Sequence, residues 1–161
     1  MSDEDVFRPP AEAKEGVTNE RIGEVRVPAI LSLAAFAALV SALFTLATGM
    51  QGLTTITYSP WSWLRFGPYV YLGLGLVGLG SGGRVYTGHL RSTVVSLGQL
   101  LATATFAGTW SLYHVYLGAL VPLPFFTAVL AGLAAILVGV ALPASARLSR
   151  QRAMLYSEEG L

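Results

Sequence analysis

The chain has 161 residues, of which 53% are hydrophobic and 12% are charged, and its formal net charge is +1. A chain this close to neutral lacks the basic surface that nucleic-acid binding requires, so no nucleic-acid partner is expected. The absence of cysteine excludes disulfides, thiolate metal sites and cysteine nucleophiles.

The placement of the charges predicts a membrane protein. No Asp, Glu, Lys or Arg occurs between Arg26 and Arg65, and none occurs between Arg91 and Arg147. The hydrocarbon core of a bilayer is about 30 Å thick, and a helix that crosses it needs about 20 apolar residues. We therefore predict an all-α integral membrane protein, a four-helix bundle with four transmembrane spans.

The predicted elements follow one another without a separate soluble domain. A polar tail is expected at residues 1–26, and Pro143 is expected to end the last span. Residues 51–67 are expected to connect the first two spans, partly as extended chain. The predicted spans cover about 27–50, 68–90, 92–117 and 124–144, and a second tail covers 147–161.

Small residues recur every three or four positions on three of the spans. Such faces let neighbouring helices approach closely, and packing is the main attraction between helices in lipid. The predicted packing residues are Ala34, Ala38 and Ala42, then Gly75, Gly78 and Gly82, and finally Ala131, Ala135 and Gly139.

The glycines from Gly73 to Gly78 also match the G-x-G-x-x-G dinucleotide motif. That motif requires a preceding strand and an acidic residue about 20 positions later, but no Asp or Glu follows before Glu158. We interpret the glycines as helix-packing positions and predict no cofactor. A lipid or another apolar ligand lying against them is the alternative.

Polar residues in the third span form a stripe of Ser96, Gln99 and Thr103. This spacing places them on one helix face, where they can hold helices together or line a path for a solute. The two histidines, His89 and His114, lie about 37 Å apart on a continuous helix, so one haem iron cannot bind both. His114 remains the candidate cofactor ligand, and no metal site is predicted.

Basic residues set the expected orientation. Nine of the ten lie in the two tails or between residues 84 and 91, and Arg65 alone lies on the other side. Because basic residues stay on the cytoplasmic side, both termini are expected in the cytoplasm. The composition is interpreted as that of a bacterial cytoplasmic (inner) membrane protein.

Aromatic residues concentrate in the opposite, outer half, where eleven of the seventeen are expected. Aromatic rings are typical of membrane interfaces, but this excess also favours a docking surface. Its predicted members are Trp61, Trp63, Arg65, Trp110, Tyr113 and His114.

No predicted span carries an acidic residue, which a proton- or sodium-coupled carrier usually needs. No predicted span carries a Ser–His–Asp set or a set of metal ligands either. The chain is therefore expected to be non-catalytic: an accessory or scaffold subunit whose partners are membrane lipids and other membrane protein subunits. One alternative is a homo-oligomeric pore or facilitator for a small solute, lined by the polar stripe. Another is a haem- or quinone-binding electron-transfer subunit, with His114 at a site shared between chains.

Overall fold

The computed structural model describes residues 28–55, 66–118 and 121–158. Within these ranges the chain forms α-helices and contains no β-strand, which confirms the all-α prediction. The helices are α1 (Ala29–Thr55), α2 (Gly67–Val85), α3 (Leu90–Tyr116) and α4 (Pro122–Glu158).

The four helices pack as a ring in chain order, each antiparallel to the next. Helix α1 packs against α2 and α4, and α3 packs against the same two helices on the side opposite α1. Near one end of the bundle, Thr48 of α1 contacts Thr127 of α4. Near the other end, the position of Gly88 is close to both Leu31 of α1 and Leu148 of α4. Helices α1 and α4 are therefore antiparallel, as in an up-down bundle.

The end of the first helix differs from the sequence prediction. Helix α1 continues to Thr55, and it thus includes the first residues of the 51–67 connection, which is expected to be partly extended. The extra turn packs on the next helix, because Gly52 lies against the ring of Pro68. Helix α2 ends at Val85, between the two ends that the sequence allows for the second span, near Gly83 or at Leu90.

Pro143 does not end the fourth helix, which runs on to Glu158. Proline removes one backbone hydrogen bond from a helix, but tertiary contacts hold the next turns in place. Ser145 and Leu148 are buried, and the Ser145 hydroxyl donates to the carbonyl of Gly88 at 3.1 Å. The expected tail at 147–161 therefore begins as helix.

The core consists mainly of small residues, in particular alanines of α1 and α4. Large apolar side chains lie on the outside instead. On every helix such residues are at least half exposed, among them Leu33, Phe36, Leu76, Val77, Leu101, Leu112, Leu133 and Ile136. This arrangement is the reverse of a water-soluble bundle, which buries its largest apolar side chains.

Among the described residues, two helices are long and apolar enough to cross a membrane, over Ala29–Thr54 and Pro122–Met154. Helices α2 and α3 fall short of that measure. The physical reason is composition, since α2 is rich in glycine and α3 carries hydroxyl and amide side chains. The described part of the chain thus has two membrane-competent helices by length and composition, where the sequence predicted four spans.

Candidate functional site

The predicted packing residues of α1 lie inside the bundle. Ala34, Ala38 and Ala42 are each at most 1% exposed. Two of them face α2, because a β-carbon added at Gly78 would be 2.9 Å from Ala42 Cβ and one added at Gly82 would be 3.4 Å from Ala38 Cβ. The small residues of α1 and α2 thus face one another, which lets the two backbones approach closely.

Gly75 makes the tightest of these approaches. A β-carbon there would be 2.6 Å from Leu46 Cγ and 3.1 Å from the Leu46 backbone nitrogen. On α4, Ala131 and Ala135 are buried in the core. Gly139 is only half-buried, and a β-carbon there would meet nothing within 4 Å. Gly139 lies too far around α4 to face a neighbouring helix of this chain.

The predicted polar stripe of α3 is buried within the chain. Ser96 and Thr103 are fully buried and Gln99 is 5% exposed. The Gln99 side-chain Nε2 donates a hydrogen bond to Thr103 Oγ1 at 3.0 Å. The stripe therefore faces the interior of this bundle and not the surface where identical chains would meet.

Several buried polar groups of the interior, two of them in this stripe, lack hydrogen-bond partners among the described residues. They are Ser41 Oγ, Tyr71 Oη, Ser96 Oγ and Gln99 Oε1. Unmet polar groups are rare in protein interiors, and each one calls for a physical explanation. The unmet groups make the polar interior the candidate functional site of this chain.

Two further hydroxyl pairs join α4 to the other helices, and the sequence analysis missed them. Thr48 and Thr127 approach to 2.6 Å between their hydroxyl oxygens, and Thr93 and Ser145 approach to 3.0 Å. The signal was present on α1, where Ser41, Thr45 and Thr48 recur at positions i, i+4 and i+7 of one helix face.

Half of the predicted outer docking surface, namely Trp61, Trp63 and Arg65, lies outside the described residues. Trp110, Tyr113 and His114 are half-buried. The Trp110 ring packs on Gly67 of α2, and its centroid lies 5.7 Å from that of His114. Trp110 thus joins α2 to α3. The freely exposed aromatic rings at this end are instead Phe66, Tyr69, Tyr116, Phe125 and Phe126.

Charged residues of the described helices all lie at the opposite end of the bundle. The turn after α2 and the last turns of α4 meet there, because Arg152 Nη1 donates to the carbonyl of Thr87 at 2.7 Å. His89 is exposed at this end, whereas His114 lies in the last turn of α3 at the other end. The basic residues of this end are Arg84, Arg91, Arg147, Arg150 and Arg152.

No protein-family model matches this chain, and neither does any curated protein or solved structure. Its function must therefore be argued from its own sequence and geometry.

Proposed function

We propose that this chain is a four-span α-helical protein of the bacterial cytoplasmic membrane that serves as a non-catalytic accessory or scaffold subunit. One observation carries the membrane assignment: many large apolar side chains lie outside on all four helices, and alanine, glycine, serine and threonine make up most of the interior. Water would disfavour such an extended apolar surface. Lipid tails accept it, and helices in lipid associate through close packing of small residues.

The outer faces of α2 and α3 support a position in lipid for these helices as well. Leu76 is 64% exposed and Val77 is 50% exposed on α2, while Leu101 and Leu112 of α3 are 53% and 72% exposed. The polar and glycine residues that lower the overall hydropathy of both helices include many on their inner faces. When the polar groups of a helix face the interior of a bundle, only the apolar outer face of that helix contacts lipid.

The distribution of arginine supports the orientation. All five arginines of the described helices lie at the end formed by the α2–α3 turn and the last turns of α4. By the positive-inside rule this end faces the cytoplasm. Both termini then lie on the cytoplasmic side, and the aromatic end faces outward.

Glycines on the outer surface support the scaffold role. Most of the packing residues predicted from the sequence face other helices of this chain, so they do not form a surface for a partner. A different set is open: a β-carbon at Gly73, Gly80 or Gly83 of α2 would meet nothing within 4 Å, and all three are exposed. Such a face lets a partner helix approach the α2 backbone closely.

Purification from membranes in mild detergent tests the scaffold role. We expect other membrane proteins to co-purify with the tagged chain in fixed proportion, as identified by mass spectrometry. Gly80→Leu should reduce that co-purification, whereas Gly132→Leu, at a similarly open position on α4, should leave it unchanged. Recovery of the chain alone, from both wild type and variants, would contradict a scaffold role.

The same purification decides between the alternatives. A ring of identical chains would support a pore or facilitator, and visible absorbance would support a haem-binding subunit that uses His114.

The predicted outer docking surface is tested by a separate double variant, Trp61→Ala combined with Arg65→Ala. If partners dock there, this variant should lose them while its far-UV circular dichroism stays that of the wild type.

A further inference from the structure

We propose that the centre of the bundle binds water, at a site formed by Ser41 of α1 and by Ser96 and Gln99 of α3, around Gly78 of α2. This site does not depend on the scaffold role, because all of its groups belong to one chain.

Gly78 fixes the position of the site. A β-carbon there would be 2.9 Å from Ala42 Cβ on one side and 3.0 Å from Gln99 Nε2 on the other. Helices α1, α2 and α3 therefore meet at this depth. Ser41 is buried at the depth of Ala42, on the face of α1 that it shares with Thr45 and Thr48, and Ser96 lies one turn before Gln99 on the buried face of α3. Both hydroxyls therefore lie in the interior at about this depth.

The Gln99 side-chain amide has a hydrogen-bond partner among the described residues at only one of its two ends. Its Nε2 donates to Thr103, and its Oε1 has no partner. Exchanging the amide nitrogen and oxygen does not solve the problem, because Thr103 would then donate to Oε1 and the NH₂ group would lose its acceptor. In either orientation one end of the amide requires a further hydrogen-bonding group.

The two serines differ from the other buried serines and threonines of the described helices. Ser81 donates to the carbonyl of Val77, and Ser111 donates to that of Ala107, each four residues earlier in its own helix. Ser41 Oγ and Ser96 Oγ make no such bond and have no partner among the described residues. Their hydroxyls therefore remain available to a ligand beside Gln99.

The chemistry of these groups selects water. A ligand must donate to the Gln99 carbonyl oxygen or, in the exchanged orientation of the amide, accept from its NH₂ group, and it can exchange donor and acceptor roles with the serine hydroxyls. Water does both, and buried waters typically make about three such bonds to polar groups that are otherwise unsatisfied. An apolar ligand would leave the amide unmet. An ion would find no opposite charge, since the charged residues of the described helices lie at one end of the bundle.

Water-edited solid-state NMR of the purified protein in lipid bilayers tests this site. The chain has glutamine only at positions 51, 99 and 151, and Gln51 and Gln151 are exposed. We expect magnetisation to pass from water to the Gln99 side-chain amide as well as to the two exposed ones. Transfer to Gln51 and Gln151 with none to Gln99 would overturn the proposal, and this measurement needs no variant.

Substitution of the serines tests their part in the site. Ser41→Ala combined with Ser96→Ala should abolish most of the transfer to Gln99. The control pair, Ser81→Ala with Ser111→Ala, removes hydroxyls that already have backbone partners and should leave the transfer unchanged. Undiminished transfer in the first double variant would also overturn the site as proposed. Should that variant fail to fold, the wild-type spectrum still decides.

Discussion

Gln99 lies against Gly78 so closely that a β-carbon added at the glycine would be 3.0 Å from the Gln99 amide nitrogen. The long amide side chain of Gln99 thus packs against a residue that has no side chain. The contact explains why a glycine-rich helix adjoins a helix with a polar stripe, since the missing side chains of α2 provide the room that the amide of α3 occupies.

The first prediction concerns this contact. Gly78→Ala should lower the thermal unfolding midpoint in detergent, because the new methyl group would press on Ala42 and Gln99, and overpacking of a filled core costs roughly 1–3 kcal/mol. Gly80→Ala is the matched control on the same helix. Its β-carbon would meet nothing within 4 Å, and alanine favours helix by about 1 kcal/mol over glycine, so the control should be neutral or stabilised. Equal midpoints for the two variants would contradict the packing of α2 described here.

A second prediction compares two glycines with left-handed backbone. Gly88 has φ +70° and Gly118 has φ +76°, so alanine at either position should cost about 1–2 kcal/mol. A β-carbon at Gly88 would also be 2.8 Å from Leu148 Cδ1, whereas one at Gly118 would meet nothing within 4 Å. Gly88→Ala should therefore lower the unfolding midpoint further than Gly118→Ala does. The reverse order would show that the α2–α3 turn does not sit on α4.

The third prediction concerns the hydroxyl pair between α1 and α4. Thr48 and Thr127 lie 2.6 Å apart and are both buried. A double-mutant cycle with Thr48→Val and Thr127→Val should give a coupling free energy of about 0.6 kcal/mol, the average for hydrogen bonds between membrane helices. The measurement is chemical or thermal unfolding of the two single variants and the double variant in one detergent. Strict additivity would mean that the two hydroxyls bond only within their own helices.

Much of the helical fold followed from the sequence, because long charge-free apolar stretches are a strong signal for helices in a membrane protein. The helix ends were less predictable. Pro143 is a strong local signal for a helix end, but the burial of Ser145 and Leu148 beyond it outweighs the lost backbone bond. Such a balance depends on contacts with Gly88, which is 57 residues away from Ser145, and sequence spacing cannot supply them.

The candidate site was only partly visible in the sequence. Ser96, Gln99 and Thr103 stand out as a polar stripe, but Ser41 looks like one more small residue of an apolar helix. The spacing of three or four residues selected Gly75, Gly78 and Gly82 for helix packing, and in the structure these glycines face other helices of the bundle, whereas Gly73 faces outward. The sequence did not indicate which side chain lies against each glycine, because that depends on how α1 and α3 pack on α2.

Cysteine labelling at residue 87 tests the central claim most directly. The chain has no cysteine, so a single introduced thiol reports without background. Thr87 and Leu117 are exposed at opposite ends of α3. If all four helices span the membrane, an impermeant maleimide added to intact spheroplasts should label Leu117→Cys and should reach Thr87→Cys only after the membrane is opened. Labelling of both residues from outside would show that only α1 and α4 cross the bilayer, and it would contradict the four-span account.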